Sequence, residues 1–501
     1  HIIALYIFSP PYLVSFPIFS VFSVLVNADN PQSKDTDRIK KTDIELALTS
    51  KAHLNYTEKN RHIFQRGFYF METVSCTREI AVEKDYDVVV LGGGPSGLMA
   101  AAAAAKAGAS TAIIEQYGFF GGMATAGLVA PISVFRYNDE LVVGGLPWEF
   151  IQRMVSYGGA KIEYPLGNIS FSPEAYKLTA DQFIQDAGAV TYFHTRLIDC
   201  VRDGRQITHV LLHSKCGLFA LKARIFIDCT GDADLAALAN VPMLHYGEPL
   251  QPMSMYFCLN HVDTNALSKI HHSCQGVNYH MEDLRDLLLS VAETEHLPMF
   301  GGPWMCYMMA DDRVLVNVTR TKADILNEQE ATKAEMQLRK DVLRFTEVLK
   351  KYVPAFAHAE VLYTSTQVGV RESRHIQGVH VLTGEEYLNA VHFEDSIGRG
   401  CHPIDIHSSD GKSQRCEFLK QAAYVPYRSL ITKEYDNLII ACRSFSADRI
   451  AFASTRVQAC VMGLGQAAGI AAAHCVRDNC SVQNVDIQKL RAKLIALGAN
   501  I

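Results

Sequence analysis

Residues 87–97 read Asp-Val-Val-Val-Leu-Gly-Gly-Gly-Pro-Ser-Gly. The first five form a short β-branched run, the pattern of a strand buried on both faces of a parallel sheet. Gly92-Gly93-Gly94-Pro95-Ser96-Gly97 then matches G-x-G-x-x-G, and the alanine-rich stretch Leu98–Ala109 predicts a helix. A second strand is expected over Thr111–Ile114, and it ends at Glu115, 18 residues past Gly97. Strand, glycine turn, helix, strand and carboxylate, in that order, make the βαβ unit that binds a dinucleotide.

Each part has a physical reason. Gly92 permits the tight turn, Gly94 lacks the Cβ that would hold a pyrophosphate away from the backbone, and Gly97 lets helix and strand pack closely. The helix start offers free N–H groups and a positive dipole end to phosphates, with Ser96 in its first turn. Glu115 is placed to accept hydrogen bonds from ribose hydroxyls, and an acidic residue there favours a free 2′-OH.

The chain of 501 residues is long enough for two or three domains, and 49% hydrophobic with 20% charged residues is ordinary for a globular protein. A net charge of -6 carries no basic surplus, so no nucleic-acid partner is expected. The 13 cysteines are odd in number and scattered, and none forms a Cys-x-x-Cys pair. That argues against a disulfide scaffold, a zinc ribbon and a thioredoxin-like redox pair, and for a reducing, cytoplasmic home.

Residues 2–28 are apolar but carry Pro10, Pro11 and Pro17, which disrupt a membrane helix. The first methionine is Met71. Residues 1–70 are therefore expected to be a non-native or disordered extension, the competing reading being an anchor or targeting segment. No membrane is expected for the remaining chain.

Further segments carry a family likeness. Gly118–Gly127 (GFFGGMATAG) follows Glu115; Ile225–Asp232 (IFIDCTGD) is a strand ending in T-G-D; Val316–Arg320 is VNVTR; Val368–Gly378 is VGVRESRHIQG; Val425–Leu430 is VPYRSL. Asn437–Arg443 (NLIIACR) leads on to Gly463–Gly469 (GLGQAAG), in or entering a helix. In these motifs the chain from about Asp85 to His474 resembles the FAD-dependent oxidoreductase family with a glutathione-reductase-like flavin domain. It is distantly similar to the flavoprotein subunits of fumarate reductase and succinate dehydrogenase and to the flavin subunit of heterodisulfide reductase.

The resemblance implies an α/β fold: a Rossmann-like FAD-binding domain, parallel sheet with helices, made of residues 85–245 and 425–480, with an α+β cap inserted at 246–424. It implies that Gly92, Gly94, Ser96 and Gly97 hold the pyrophosphate and Glu115 the adenosine ribose. Gly121, Gly122 and Met123 would line the middle of the cofactor. Thr230 and Gly231 would lie near its adenosine half, Asp232 near the ribityl or pyrophosphate region, with Arg443 close by. Gly465, Gln466 and Gly469 would bring a helix end toward the flavin. No histidine stands in the Gly121–Gly127 loop to bond the flavin, so FAD is expected to be non-covalent. Cys442 replaces a glycine common in relatives and reads as a packing residue.

Candidate chemistry falls where cap meets flavin. Arg371, Arg374 and Arg456 would clamp a small anionic or polyhydroxylated substrate through the guanidinium fork. His375, Tyr427 and Arg371 are the candidate proton handlers. The alternative is that these arginines pair with Glu372 or Asp448 and only hold the structure together. Cys401–His407 (CHPIDIH) matches no standard metal spacing and reads as a loop, so no metal is expected. The expected activity is hydride transfer between FAD and a small polar substrate, the electron acceptor being open. The rivals are a flavin-bearing electron-transfer subunit and a non-catalytic dinucleotide-binding protein.

Overall fold

The computed structural model describes residues 76–270, 272–273, 280–410 and 414–501. The sequence reading of residues 1–70 lies outside them. Residues Ile80–Ile501 form one compact unit.

Strand β1 (Val82–Leu91) begins five residues earlier than the apolar run, but only its last residues are buried. Helix α1 (Pro95–Lys106) starts at the proline rather than at Leu98, because Pro95 occupies the first helical position, where its missing N–H costs nothing. It stops before Ala109 because Gly108 takes a left-handed φ of +96°. Strand β2 covers Thr111–Ile114, as expected. Then come helices α2 (Leu146–Ser156) and α3 (Pro173–Ala187) and strands β3 (Val190–Tyr192), β4 (Arg196–Asp203), β5 (Gln206–Ser214) and β6 (Gly217–Asp228).

The sheet order is β3-β2-β1-β6-β5-β4, and the late strand Leu438–Ile440 also pairs with β6. β1 is parallel to both β2 and β6, and β6 is parallel to Leu438–Ile440, with Leu91 opposite Ile114 and Asp228, and Asp228 opposite Ile440. Four strands therefore end at one edge. The chain leaves β1 for β2 on one side and returns as β6 on the other, so a crevice opens beyond the carboxyl ends, the usual ligand position in such sheets.

A second, antiparallel sheet is made of β7 (Phe257–Asn260), β8 (His272–Ser273), β9 (His280–Met281), β10 (Phe300–Tyr307), β11 (Val314–Thr319) and β12 (Glu360–Thr364). Its order is β8-β9-β10-β11-β7-β12. Helix α4 (Glu328–Tyr352) is capped by the Asn327 side chain, which accepts from the N–H groups of Gln329 and Glu330. It buries Leu338, Val342, Phe345 and Leu349 in one core with Phe257, Leu259, Val314 and Val316 of the sheet. The inserted layer is shorter than the 246–424 expected. Leu382, Tyr387, Ile397, Ile404 and Ala423 join the apolar core of the first sheet instead.

Helix α5 (Gln458–Asp478) crosses α1 directly. A Cβ on Gly465 would overlap the Ser96 carbonyl, and one on Gly469 the Ala100 carbonyl. α5 is long and apolar enough to cross a membrane, but 89% of its apolar window is buried inside this protein.

Candidate functional site

The glycine turn sits where the four strand ends converge. Gly92 adopts φ +97°, a conformation that strains any residue with a Cβ. The turn is tied down by backbone and carboxylate. Gly92 N–H donates to Ile114 O at 2.8 Å, and Gly121 N–H donates to Gly93 O at 2.8 Å. Glu115 is buried, and its carboxylate accepts from Gly93 N–H at 2.8 Å and Tyr117 N–H at 2.9 Å. Burial raises the Glu115 carboxyl above its ordinary value against the pull of these N–H groups. A Cβ on Gly97 would overlap the Gly92 carbonyl, so this glycine serves helix–strand contact.

A cavity of about 1320 Å³ opens from this turn. Single drug-sized ligands occupy about 300–1,000 Å³, so there is room for a long cofactor and a second molecule. Its wall includes Gly92, Gly94, Ser96, Glu115, Gly122, Met123, Thr230, Gly231, Asp232 and Arg443, and also Arg371, Arg374 and Arg456. Gly94 and Gly122 face each other: a Cβ on Gly122 would come 2.9 Å from the Gly94 Cα. Side chains there would fill the passage beside the open first turn of α1, whose N–H groups have no helical partner. A dinucleotide pyrophosphate fits this donor set.

Asp228, at the end of β6, organises the next loop. Its carboxylate accepts from Thr230 N–H, the Thr230 hydroxyl and Ala236 N–H. Burial pushes its carboxyl up to about 6 in spite of them. Arg443 pairs with Asp232, and its guanidinium lies against Gly231, which has φ +90°. Cys442 is buried on the cavity wall with its thiol pushed up to about 12 by burial, far from the thiolate state a redox role needs.

Several expected residues are elsewhere. Gly121 (φ +113°) packs on Thr125 behind the wall. Gly465, Gln466 and Gly469 lie in mid-helix: the glycines serve the α1–α5 crossing, and Gln466 Oε1 accepts the Leu146 N–H at 2.5 Å. The part of α5 that meets the cavity is its start, Gln458, with Val457 before it and Val461 after. Tyr427 is fully buried and donates to Val482 O at 2.9 Å, so its hydroxyl is spent on the scaffold. His375 is buried against Phe452, ring centroids 4.3 Å apart, and Tyr246, and burial lowers its pKa to about 3. Neither Tyr427 nor His375 reaches the cavity wall.

Arg374 donates to Asp232 O and Asp234 Oδ1, both at 2.9 Å. Arg456 donates to Asp405 O at 2.9 Å and Asp405 Oδ2 at 3.2 Å. The segment read as a loop is in fact strand Ile404–His407, paired with Gln414–Glu417. Asp405 and His407, two apart, share a strand face, and both line the cavity with His402. His407 Nε2 lies 3.2 Å from Asp405 Oδ2. Burial would raise the Asp405 carboxyl, but His407 and Arg456 hold it well below the usual carboxylate range. Burial lowers His407, helped by Arg371 and Arg320 and opposed by Asp405. The i, i+2 spacing of Asp405 and His407 was the available signal for this pair. Among the described residues, no three His, Cys, Asp or Glu side chains converge as a metal site.

The glycine turn at a strand edge, the carboxylate after β2 and a cavity large enough for a long cofactor define a dinucleotide-binding oxidoreductase. The family model for FAD-dependent oxidoreductases matches residues 87–494, and the chain belongs to that family; it is an FAD-dependent enzyme. No curated protein sequence matches it.

Solved structures similar to it include a flavoprotein/dehydrogenase from Cytophaga hutchinsonii, at 11% identity and a TM-score of 0.46, covering 82% of this chain and 86% of that one. A geranylgeranyl bacteriochlorophyll reductase-like protein from Thermoplasma acidophilum matches at 13% identity and a TM-score of 0.42, covering 82% and 83%. A p-nitrophenol 4-monooxygenase from Pseudomonas putida matches at 10% identity and a TM-score of 0.41, covering 82% and 84%.

Proposed function

We propose that this oxidoreductase moves a hydride between non-covalently held FAD and a small polar substrate in the large cavity. The observation that carries the reading is that one cavity wall holds both the glycine turn and the Arg371, Arg456, Asp405 and His407 group. Gly92, Gly94, Ser96 and the first turn of α1 would hold the pyrophosphate, and Glu115 the adenosine ribose while it also pins the turn. Gly122, Met123, Thr230, Gly231, Asp232 and Arg443 would line the rest. FAD, when bound, supplies the two-electron acceptor or donor.

The protein's own part is to position the substrate and handle its proton. Asp405 faces His407 Nε2 and favours the tautomer with the proton there, leaving Nδ1 as the acceptor. His407 takes the role that the sequence pattern offered to His375 and Tyr427. Arg371 and Arg456 would orient the substrate. The described cysteines are all unpaired, which favours a reducing cytoplasmic setting.

The test is an anaerobic screen of small metabolites for flavin bleaching. A compound that bleaches the wild type without a partner protein, and does so about 10²–10⁴-fold more slowly in His407→Asn, supports the reading. Reduction that occurs only with a second protein supports an electron-transfer subunit instead.

A further inference from the structure

Two arginines at one corner of the site, the buried Arg320 and the half-buried Arg371, pair with no carboxylate among the described residues. Arg371 Nη1 donates to Pro252 O at 2.6 Å and Ser254 Oγ at 2.7 Å. Arg320 is 2% exposed, and its Nη1 donates to the same Ser254 hydroxyl at 2.9 Å, to Asn317 Oδ1 at 2.7 Å and to Thr319 O at 2.8 Å. All these acceptors are neutral. The buried Arg320 Nη2 has no partner, and among the described residues neither arginine forms an ion pair. The nearby carboxylate, Asp405, is already shared between Arg456 and His407. Two guanidiniums bridged by one hydroxyl repel each other, and burial followed by the charge of Arg371 holds Arg320 well below its ordinary value. Buried cations of this kind persist where an anion completes them.

The wall beside them is aromatic. Asn317, which holds Arg320, also donates to Tyr256 Oη at 2.7 Å. Trp304 on β10 is the cross-strand partner of Asn317 on β11, so its side chain stands on the same sheet face. Trp304, Tyr256, Met305 and Tyr307 all line the cavity with Arg371.

We infer that this corner is an anion-binding subsite for a carboxylate attached to an aromatic or flat apolar body. The carboxylate takes the free donors of the Arg371 fork, with Arg320 behind it adding charge, and the body lies against Trp304 and Tyr256. The inference rests on the proposed oxidoreductase reading and gives its substrate a chemical class.

Calorimetric titration of the FAD-loaded protein with sodium benzoate, benzyl alcohol, sodium acetate and inorganic phosphate tests it. Benzoate is expected to bind at least about tenfold more tightly than each of the other three, because only it satisfies both charge and ring. Arg371→Gln is expected to weaken benzoate about tenfold or more and leave benzyl alcohol unchanged, with Arg371→Lys in between. Trp304→Ala should weaken benzoate and leave acetate unchanged, a second test if the arginine variants fold poorly.

Equal binding of benzoate and benzyl alcohol, phosphate as tight as benzoate, or no effect of either substitution would overturn the inference. Flavin content is read separately. Protein that holds no FAD tells against the proposed function, whereas protein that holds FAD and ignores benzoate tells against the subsite alone.

Discussion

The two regions that meet in the cavity are built on opposite principles. The glycine turn is shaped by backbone. Its residues fall within 92–123, nearly contiguous in sequence, and its only charged group on the wall is Glu115, spent on two N–H donors. The arginine corner is shaped by charged side chains. Ser254, Arg320, Arg371, Asp405, His407 and Arg456 come from segments scattered between residues 254 and 456, and their charges balance incompletely. Substitutions should therefore fail by collision in the first region and by unpaired charge in the second.

The largest effect is expected in the second. Asp405→Ala strands Arg456 without its carboxylate and should cost about 3–5 kcal/mol in denaturant unfolding. A loss near zero would mean the Arg456–Asp405 contact is not held in solution. In the first region, Gly97→Ala forces a methyl into the Gly92 carbonyl. The expected cost is about 1–3 kcal/mol, with loss of bound FAD. Retained FAD at full stability would show that the turn can shift.

A pH profile draws the contrast more finely. Burial, with Arg443 nearby and Asp232 opposing, lowers His375 from 6.5 to about 3. The unfolded chain then takes up a proton that the native state refuses. Stability should be full above pH 6.5 and fall as the pH drops toward 3, by at most about 1.4 kcal/mol per unit from this group. His375→Leu should flatten that slope in urea unfolding between pH 7 and pH 5; an unchanged slope would place the titration elsewhere. The smallest effect is expected for Arg320→Met. Removing a buried cation that has only neutral acceptors should leave stability unchanged or raise it by about 1 kcal/mol, the opposite sign to Asp405→Ala.

The same contrast explains what could be read from sequence. The βαβ unit was legible because its signals are local: strand, turn and helix start lie within 87–97, and Thr111–Ile114 ends at its carboxylate. The small residues of α5 were misleading, since a glycine that admits a cofactor and one that admits a neighbouring helix look alike. Gly465 and Gly469 turned out to be of the second kind. Tyr427 failed for a related reason: its acceptor, Val482 O, lies 55 residues further on. His375 sat beside Arg374 in sequence, but the chain turned it into an aromatic core. Asp405 and His407 lie in a Cys/His/Asp-rich stretch that resembles a metal-binding run in composition, whereas their alternate spacing marks one face of a strand. Arg320 closes the VNVTR segment that carries the family likeness, but its lack of a counter-ion is a property of the packed sheet that no local pattern displays.

On this reading the flavin and the arginine corner share one cavity. The visible absorbance spectrum of the FAD-loaded protein, recorded during benzoate addition, tests it most directly. A saturable shift of the flavin bands in the wild type that needs about tenfold more benzoate in Arg371→Gln is the predicted result. A flavin spectrum untouched by benzoate that calorimetry shows to be bound would contradict it.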